Sequence, residues 1–218
     1  MGKKISLKDK FNEWKKELWS HKYLVLFSLI FFVIALSFFY LAGSYTNKIE
    51  NPYITDIILD NIGPIQKIGN INLTYVYVYG YLFIILLLFL YPLLYKVKEL
   101  HIVIGQFSLL IMVRNFFITL TRMKTPLDAI PFDYFPGILG NMSFQNDLFF
   151  SGHTAIPFMG FLIFKGHKIR WFFLAASIIC GATVLIGHMH YSIDVFSAFF
   201  ITYGVYKVGE WFLKRIKD

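Results

Sequence analysis

YLVLFSLIFFVIALSFFYLAGS, residues 23–44, runs for 22 positions without a charged side chain. At a rise of about 1.5 Å per residue, a helix of that length covers the roughly 30 Å hydrocarbon core of a bilayer. Comparable windows recur at 74–96, 100–121, 153–166, 170–188 and 191–212. Hydrocarbon offers no partner to a backbone N–H or C=O, so windows of this kind are read as helices. The expected fold is all-α: a polytopic membrane protein with six transmembrane helices. A content of 57% hydrophobic residues and a mean hydropathy of +0.59 agree, being too apolar for an ordinary soluble domain. The fourth window is short and ends in Phe164-Lys165, while Ser151 to Pro157 is only mildly apolar. Its outer end is therefore expected within protein and not against lipid.

Residues 1–22 form the first of two regions, a cytoplasmic basic segment in which Phe11, Trp14 and Leu18 recur at helical spacing among lysines. Such a segment suits an amphipathic helix lying in the interface against anionic lipid. The apolar run behind it is too long for the h-region of a signal peptide, despite the small residues Ala42-Gly43-Ser44, and reads as a signal anchor. Residues 23–218 then make one six-helix catalytic domain, with long loops at 45–73 and 122–150 of the size that often serves function. The net charge of +8 sits at the flanks of apolar runs, which is a topology signal and no nucleic-acid footprint. The lone Cys180 has no partner for an internal disulfide. With the amino terminus inside, 16 Lys or Arg fall on the cytoplasmic side and only Lys48, Lys67, Arg122 and Lys124 outside. The positive-inside rule thus selects cytoplasmic N- and C-termini.

In that orientation Ser151-Gly152-His153-Thr154 and the stretch from His188 to Val195 emerge on one exoplasmic face. Ionisable groups at a membrane edge carry a solvation cost that makes a functional site the default reading. His190 and Asp194 stand four apart, so within a helix they share a face and the carboxylate reaches an imidazole nitrogen. That leaves the other nitrogen as nucleophile or base and stabilises the ring once it turns cationic on phosphorus. Gly152 admits a phosphate to the backbone N–H groups at a helix start, Ser151 can cap or donate, and His153 can act as general acid for a leaving oxygen. Arg114, deep in the third window, demands an anionic partner, either a phosphate or an Asp. A metal site built from His153, His188, His190 and Asp194 is a weaker reading, since His190 and Asp194 satisfy each other; no metal or other cofactor is expected.

These motifs resemble the type 2 phosphatidic acid phosphatase superfamily, and most closely its sphingomyelin synthase branch. The likeness rests on Asp147 to Thr154 (Asp-x-x-x-Ser-Gly-His-Thr) and His188 to Val195 (His-x-His-Tyr-Ser-x-Asp-Val). Arg114 and Thr121 match an Arg-x6-Thr element, and Pro52 and Asp56 match a Pro-x3-Asp element more weakly. The resemblance implies that His190 forms a phospho-histidine, that Asp194 orients it and that His153 protonates the departing lipid oxygen. It implies supporting places for Asp147 and His188, and with Arg114, Ser151, Gly152 and Tyr191 these make the expected substrate-binding set. An Arg that the phosphatase branch carries shortly before its nucleophile is missing, with Thr183 and Val184 in that region, and the phosphatase Lys-x6-Arg-Pro element is absent in register. A phosphomonoester carries nearly two charges and needs several cations, whereas a phosphodiester needs fewer. The expected function is therefore transfer of a phosphate-containing headgroup from a phospholipid to an acceptor alcohol, with membrane lipids as partners. A lipid phosphate phosphatase using the same residues with water is the alternative, and a transporter or scaffold without chemistry a third.

Overall fold

The computed structural model describes residues 7–48, 50, 52–130 and 144–217. Residues 1–6 of the basic segment and 131–143 of the second long loop lie outside the described residues. The chain is helical: α1 (Leu7–Ser20), α2 (Lys22–Lys48), α3 (Tyr81–Tyr95), α4 (Leu100–Thr121), α5 (Gly152–Ile163), α6 (Arg170–Ile186) and α7 (Ser192–Lys217). A π-helical turn, Tyr75–Gly80, leads into α3. Among the described residues, three helices are long and apolar enough to cross a membrane, Lys22–Lys48, Tyr75–Tyr95 and Val97–Thr121, while Gly152–Ile163 and Arg170–Ile186 are shorter apolar helices. The surface they present agrees with lipid as the solvent. Phe27, Ile30 and Leu41 on α2, Phe83, Leu86 and Leu94 on α3, and Phe196 and Phe200 on α7 are all exposed. An apolar surface of that extent is foreign to a soluble monomer.

The central helix is α4. Its apolar window is 56% buried inside the protein, against 11% for that of α2, so α4 is enclosed where α2 faces lipid. α2 packs along α4, and α5 packs on α6 and α7, with α4 touching α5 and α7 across the middle. In lipid, burying Leu against Leu gains little over leaving it among acyl chains, so close fit and buried polar contacts hold such bundles together. Both occur here. A Cβ on Gly160 would stand 2.6 Å from the Phe173 ring, a close approach between α5 and α6 that only glycine permits. Asn115 Nδ2 donates to the Ala35 carbonyl at 3.3 Å, and Gln106 Nε2 to the Tyr206 carbonyl at 3.2 Å, tying α4 to α2 and α7.

At the end away from the histidine motifs, α1 is tied beneath the α3–α4 connection. The Trp14 indole N–H donates to the Leu93 carbonyl at 2.7 Å, one of the carbonyls that a helix end leaves without an intrahelical donor. Glu17 pairs with Lys98 at 3.0 Å. The first long loop holds a feature that apolar periodicity does not reveal: a two-stranded hairpin pairing Lys67 with Asn72 and Ile68 with Ile71. Gly69 turns it with φ +59°, in the left-handed region where glycine has no penalty.

Candidate active site

The site is built where α7 begins. α6 ends at Ile186, and the chain turns through Gly187 and His188, the latter at φ +53°, before Ser192 opens α7. His190 therefore lies ahead of the helix, where the sequence suggested a pair within one. The pair nevertheless forms, with His190 Nδ1 3.1 Å from Asp194 Oδ2. The reason is local: Asp194 is the third residue of α7, and Oδ2 also reaches back to accept the Tyr191 N–H at 3.1 Å. That is half of a capping box, which fixes the carboxylate before any tertiary contact is made. A carboxylate accepts only, so Nδ1 carries the hydrogen and Nε2 of His190 keeps its lone pair. His190 and Asp194 are both buried.

The start of α5 is brought to the same place by one backbone bond, Ser151 N–H to the Asp194 carbonyl at 2.9 Å. Ser151 occupies the N-cap position, but its hydroxyl makes no capping bond and is buried without a partner among the described residues, which corrects the expectation that it caps. His153, in the first turn, has its ring centroid 6.2 Å from that of His190. Its Nε2 lies 3.1 Å from the Tyr77 carbonyl, and its ring stands 4.1 Å from that of Tyr81, tilted by 32°. A Cβ on Gly152 would come within 3.3 Å of the Tyr81 hydroxyl and 3.4 Å of Arg114 Nε, so the absent side chain lets these two groups meet the backbone at the helix start.

Arg114 has taken the second of its two possible partners. One Nη donates to both carboxylate oxygens of Asp147 at 2.7 Å, the other Nη to the Asp147 carbonyl at 2.9 Å, and Nε to the Phe150 carbonyl at 2.9 Å. The guanidinium thus clamps the turn that delivers Ser151. Arg114, Asp147, Gly152, His153 and His190 all line one cavity of about 350 Å³. Below them it is apolar, passing Tyr81 and Ile111 to reach Phe89, Phe107 and Phe32 within the bundle.

His188 and Tyr191 are not among the residues lining that cavity. His188 Nδ1 and the Tyr191 hydroxyl instead bond the loops outside it. His188 Nδ1 bonds Asp128 at 2.8 Å. The Tyr191 hydroxyl donates to the Lys124 carbonyl at 2.8 Å and accepts the Ile54 N–H at 3.3 Å, bridging both loops. Asp56 completes this outer clasp: one carboxylate oxygen accepts the Ser192 N–H at the start of α7, the other the N–H groups of Ile58 and Leu59. Burial works to raise the Asp56 carboxyl, but the hydrogen bonds from Ser192, Ile58 and Leu59 outweigh it and hold the group below its ordinary 3.8. Of the four residues in the metal reading, His153 and His190 line the cavity and His188 and Asp194 do not. No group of three or more His, Cys, Asp and Glu suited to a metal occurs among the described residues.

Tyr77, Tyr81 and Asp128 escaped the sequence reading. The only available signal was the alternation Tyr75-Val76-Tyr77-Val78-Tyr79-Gly80-Tyr81, which an aromatic-rich membrane chain does not distinguish from packing.

Residues 146–211 match the family model described as PAP2 superfamily C-terminal. Phosphatidylcholine:ceramide cholinephosphotransferase 2 of Homo sapiens is 38% identical over 74 residues, and the proteins of that name from Rattus norvegicus and Mus musculus are 35% identical. Each match covers 30% of this chain and 20% of the relative, so the chain aligns with about a fifth of the length of the curated relatives. No solved structure matches. The family match takes in Asp147, His153, His190 and Asp194 and leaves Arg114, Tyr77 and Tyr81 outside. From the turn clamped by Arg114 to the far part of α7, the chain is similar to the PAP2 superfamily C-terminal model, and part of it is similar in sequence to the phosphatidylcholine:ceramide cholinephosphotransferases.

Proposed function

We propose that this membrane protein is a lipid headgroup phosphotransferase working through a phospho-histidine on His190. The observation that carries the reading is the pair of imidazoles, His190 backed by Asp194 and His153 6.2 Å from it, at the head of an apolar cavity. In the first step the Nε2 lone pair of His190 bonds to phosphorus and the bond to the lipid oxygen breaks, its electrons passing to that oxygen. His153 supplies the proton, and Asp194 stabilises the cationic ring through Nδ1–H. In the second, the acceptor hydroxyl attacks phosphorus, His153 takes its proton and the N–P bond breaks. The apolar depth of the cavity suits a lipid chain beneath the phosphate.

Charge favours a diester. The guanidinium of Arg114 is matched by the Asp147 carboxylate, so the site offers little net positive charge to a dianionic monoester. Water in place of the acceptor alcohol gives the phosphatase reading, which the superfamily resemblance supports. We place the site on the exoplasmic face of a six-crossing bundle, with α5, α6 and α7 completing the spans and both termini cytoplasmic. The charge distribution and the separation of α1 from the histidine motifs support this. The test is to incubate the protein with a phospholipid labelled at phosphorus, without acceptor. Acid-labile, base-stable label on the wild type and none on His190→Ala is expected; label on His190→Ala would overturn the assignment.

A further inference from the structure

Among the described residues His153 has no carboxylate hydrogen-bonded to it, and the groups that hold it lie outside the matched stretch. A carbonyl oxygen only accepts, so the contact to Tyr77 means that Nε2 of His153 carries a hydrogen. Tyr77 lies in the π-helical turn Tyr75–Gly80, an irregularity of a kind that often accompanies functional sites. The second restraint is the buried Tyr81 ring, 4.1 Å from the imidazole, which fixes the plane that a single hydrogen bond leaves free to rotate.

We infer that the Tyr75–Gly80 turn and Tyr81 are the positioning element for the acid–base histidine, the Tyr77 carbonyl fixing its tautomer and the Tyr81 ring its orientation. The inference rests on the reading of His153 as proton donor. With Nε2–H held by Tyr77, Nδ1 is the atom that exchanges protons. In the charged ring both nitrogens carry hydrogen; as the P–O bond breaks, Nδ1–H passes its proton to the leaving oxygen and Nε2–H stays on the carbonyl. When the acceptor arrives, the Nδ1 lone pair removes its hydroxyl proton. The carbonyl does for His153 what the Asp194 carboxylate does for His190, with a dipole in place of a charge.

A leaving-group test separates positioning from support of the fold. Tyr81→Leu removes the ring; Tyr81→Phe keeps it. Each is assayed with phosphatidylcholine and phosphatidylethanolamine, and with analogues in which the bridging oxygen that leaves is replaced by sulfur, since a thiolate departs without a proton. Tyr81→Leu is expected to slow phosphorylation of His190 by the oxygen lipids about a hundredfold, the lower range for general-acid catalysis, and to leave the sulfur analogues near wild type. Tyr81→Phe should restore the oxygen substrates. An equal loss on both leaving groups, or no loss on either, overturns the inference. His153→Ala is the control: if it too shows no leaving-group dependence, the assignment of His153 as acid has failed and not the assignment of Tyr81 alone.

Discussion

The proposed nucleophile, His190, and its partner are determined at the scale of a few residues. Asp194 serves two donors with one oxygen, His190 Nδ1–H and the Tyr191 N–H, and both lie within four positions of it. A carboxamide in its place could present its NH₂ to the ring and hold the wrong tautomer, with the lone pair on the wrong nitrogen. Asp194→Asn is therefore expected to lower turnover by about 10⁴-fold, the loss seen when an orienting carboxylate is amidated, with little change in the amount of folded protein. Steady-state rates and a thermal melt check this together. The His190–Asp194 spacing is legible in sequence because the whole contact is local. For Arg114, burial in an apolar window shows that an anion is required, and nothing in the window shows that it is Asp147, 33 residues on. His188 is less legible still: its partner Asp128 is 60 residues earlier, on a loop with no periodic signal.

Elements carry the site by their ends. The starts of α5 and α7 are joined through Ser151 and Asp194, and the start of α7 is held from outside by Asp56. Asp56 is depressed below 3.8, so in the unfolded chain it binds protons more readily than in the folded one. Stability from its hydrogen bonds is fully present above the unfolded value and is lost as pH falls through the lower folded value. Asp56→Ala should consequently lower the melting temperature in detergent at neutral pH and speed proteolysis within residues 50–63. The difference from wild type should be constant down to about pH 4 and fade below it. Apolar runs located the helices closely, 100–121 against Leu100–Thr121 and 170–188 against Arg170–Ile186, because the extent of an apolar helix is written in composition. The same uniformity hid the π-helical turn. Where nearly every residue is apolar or aromatic, a change in residues per turn leaves no mark on the pattern.

For the whole molecule, polar chemistry gathers at one end of an apolar bundle, and the cavity beneath it runs inward between helices. A soluble phosphate ester has no use for such depth, whereas a lipid can leave its chains in apolar surroundings while its headgroup phosphate meets His190. The joint placement of three helix ends, α4, α5 and α7, could be argued from charge topology alone. The pairing of Arg114 with Asp147, which sets how much charge the site can receive, could not. The central claim is headgroup transfer. Its most direct measurement is to give the purified protein labelled phosphatidylcholine or phosphatidylethanolamine together with ceramide, and in a parallel reaction labelled phosphatidic acid. The account predicts a new labelled phosphodiester on the acceptor and little release of free phosphate from phosphatidic acid. Free phosphate from phosphatidic acid with no new phosphodiester would contradict it.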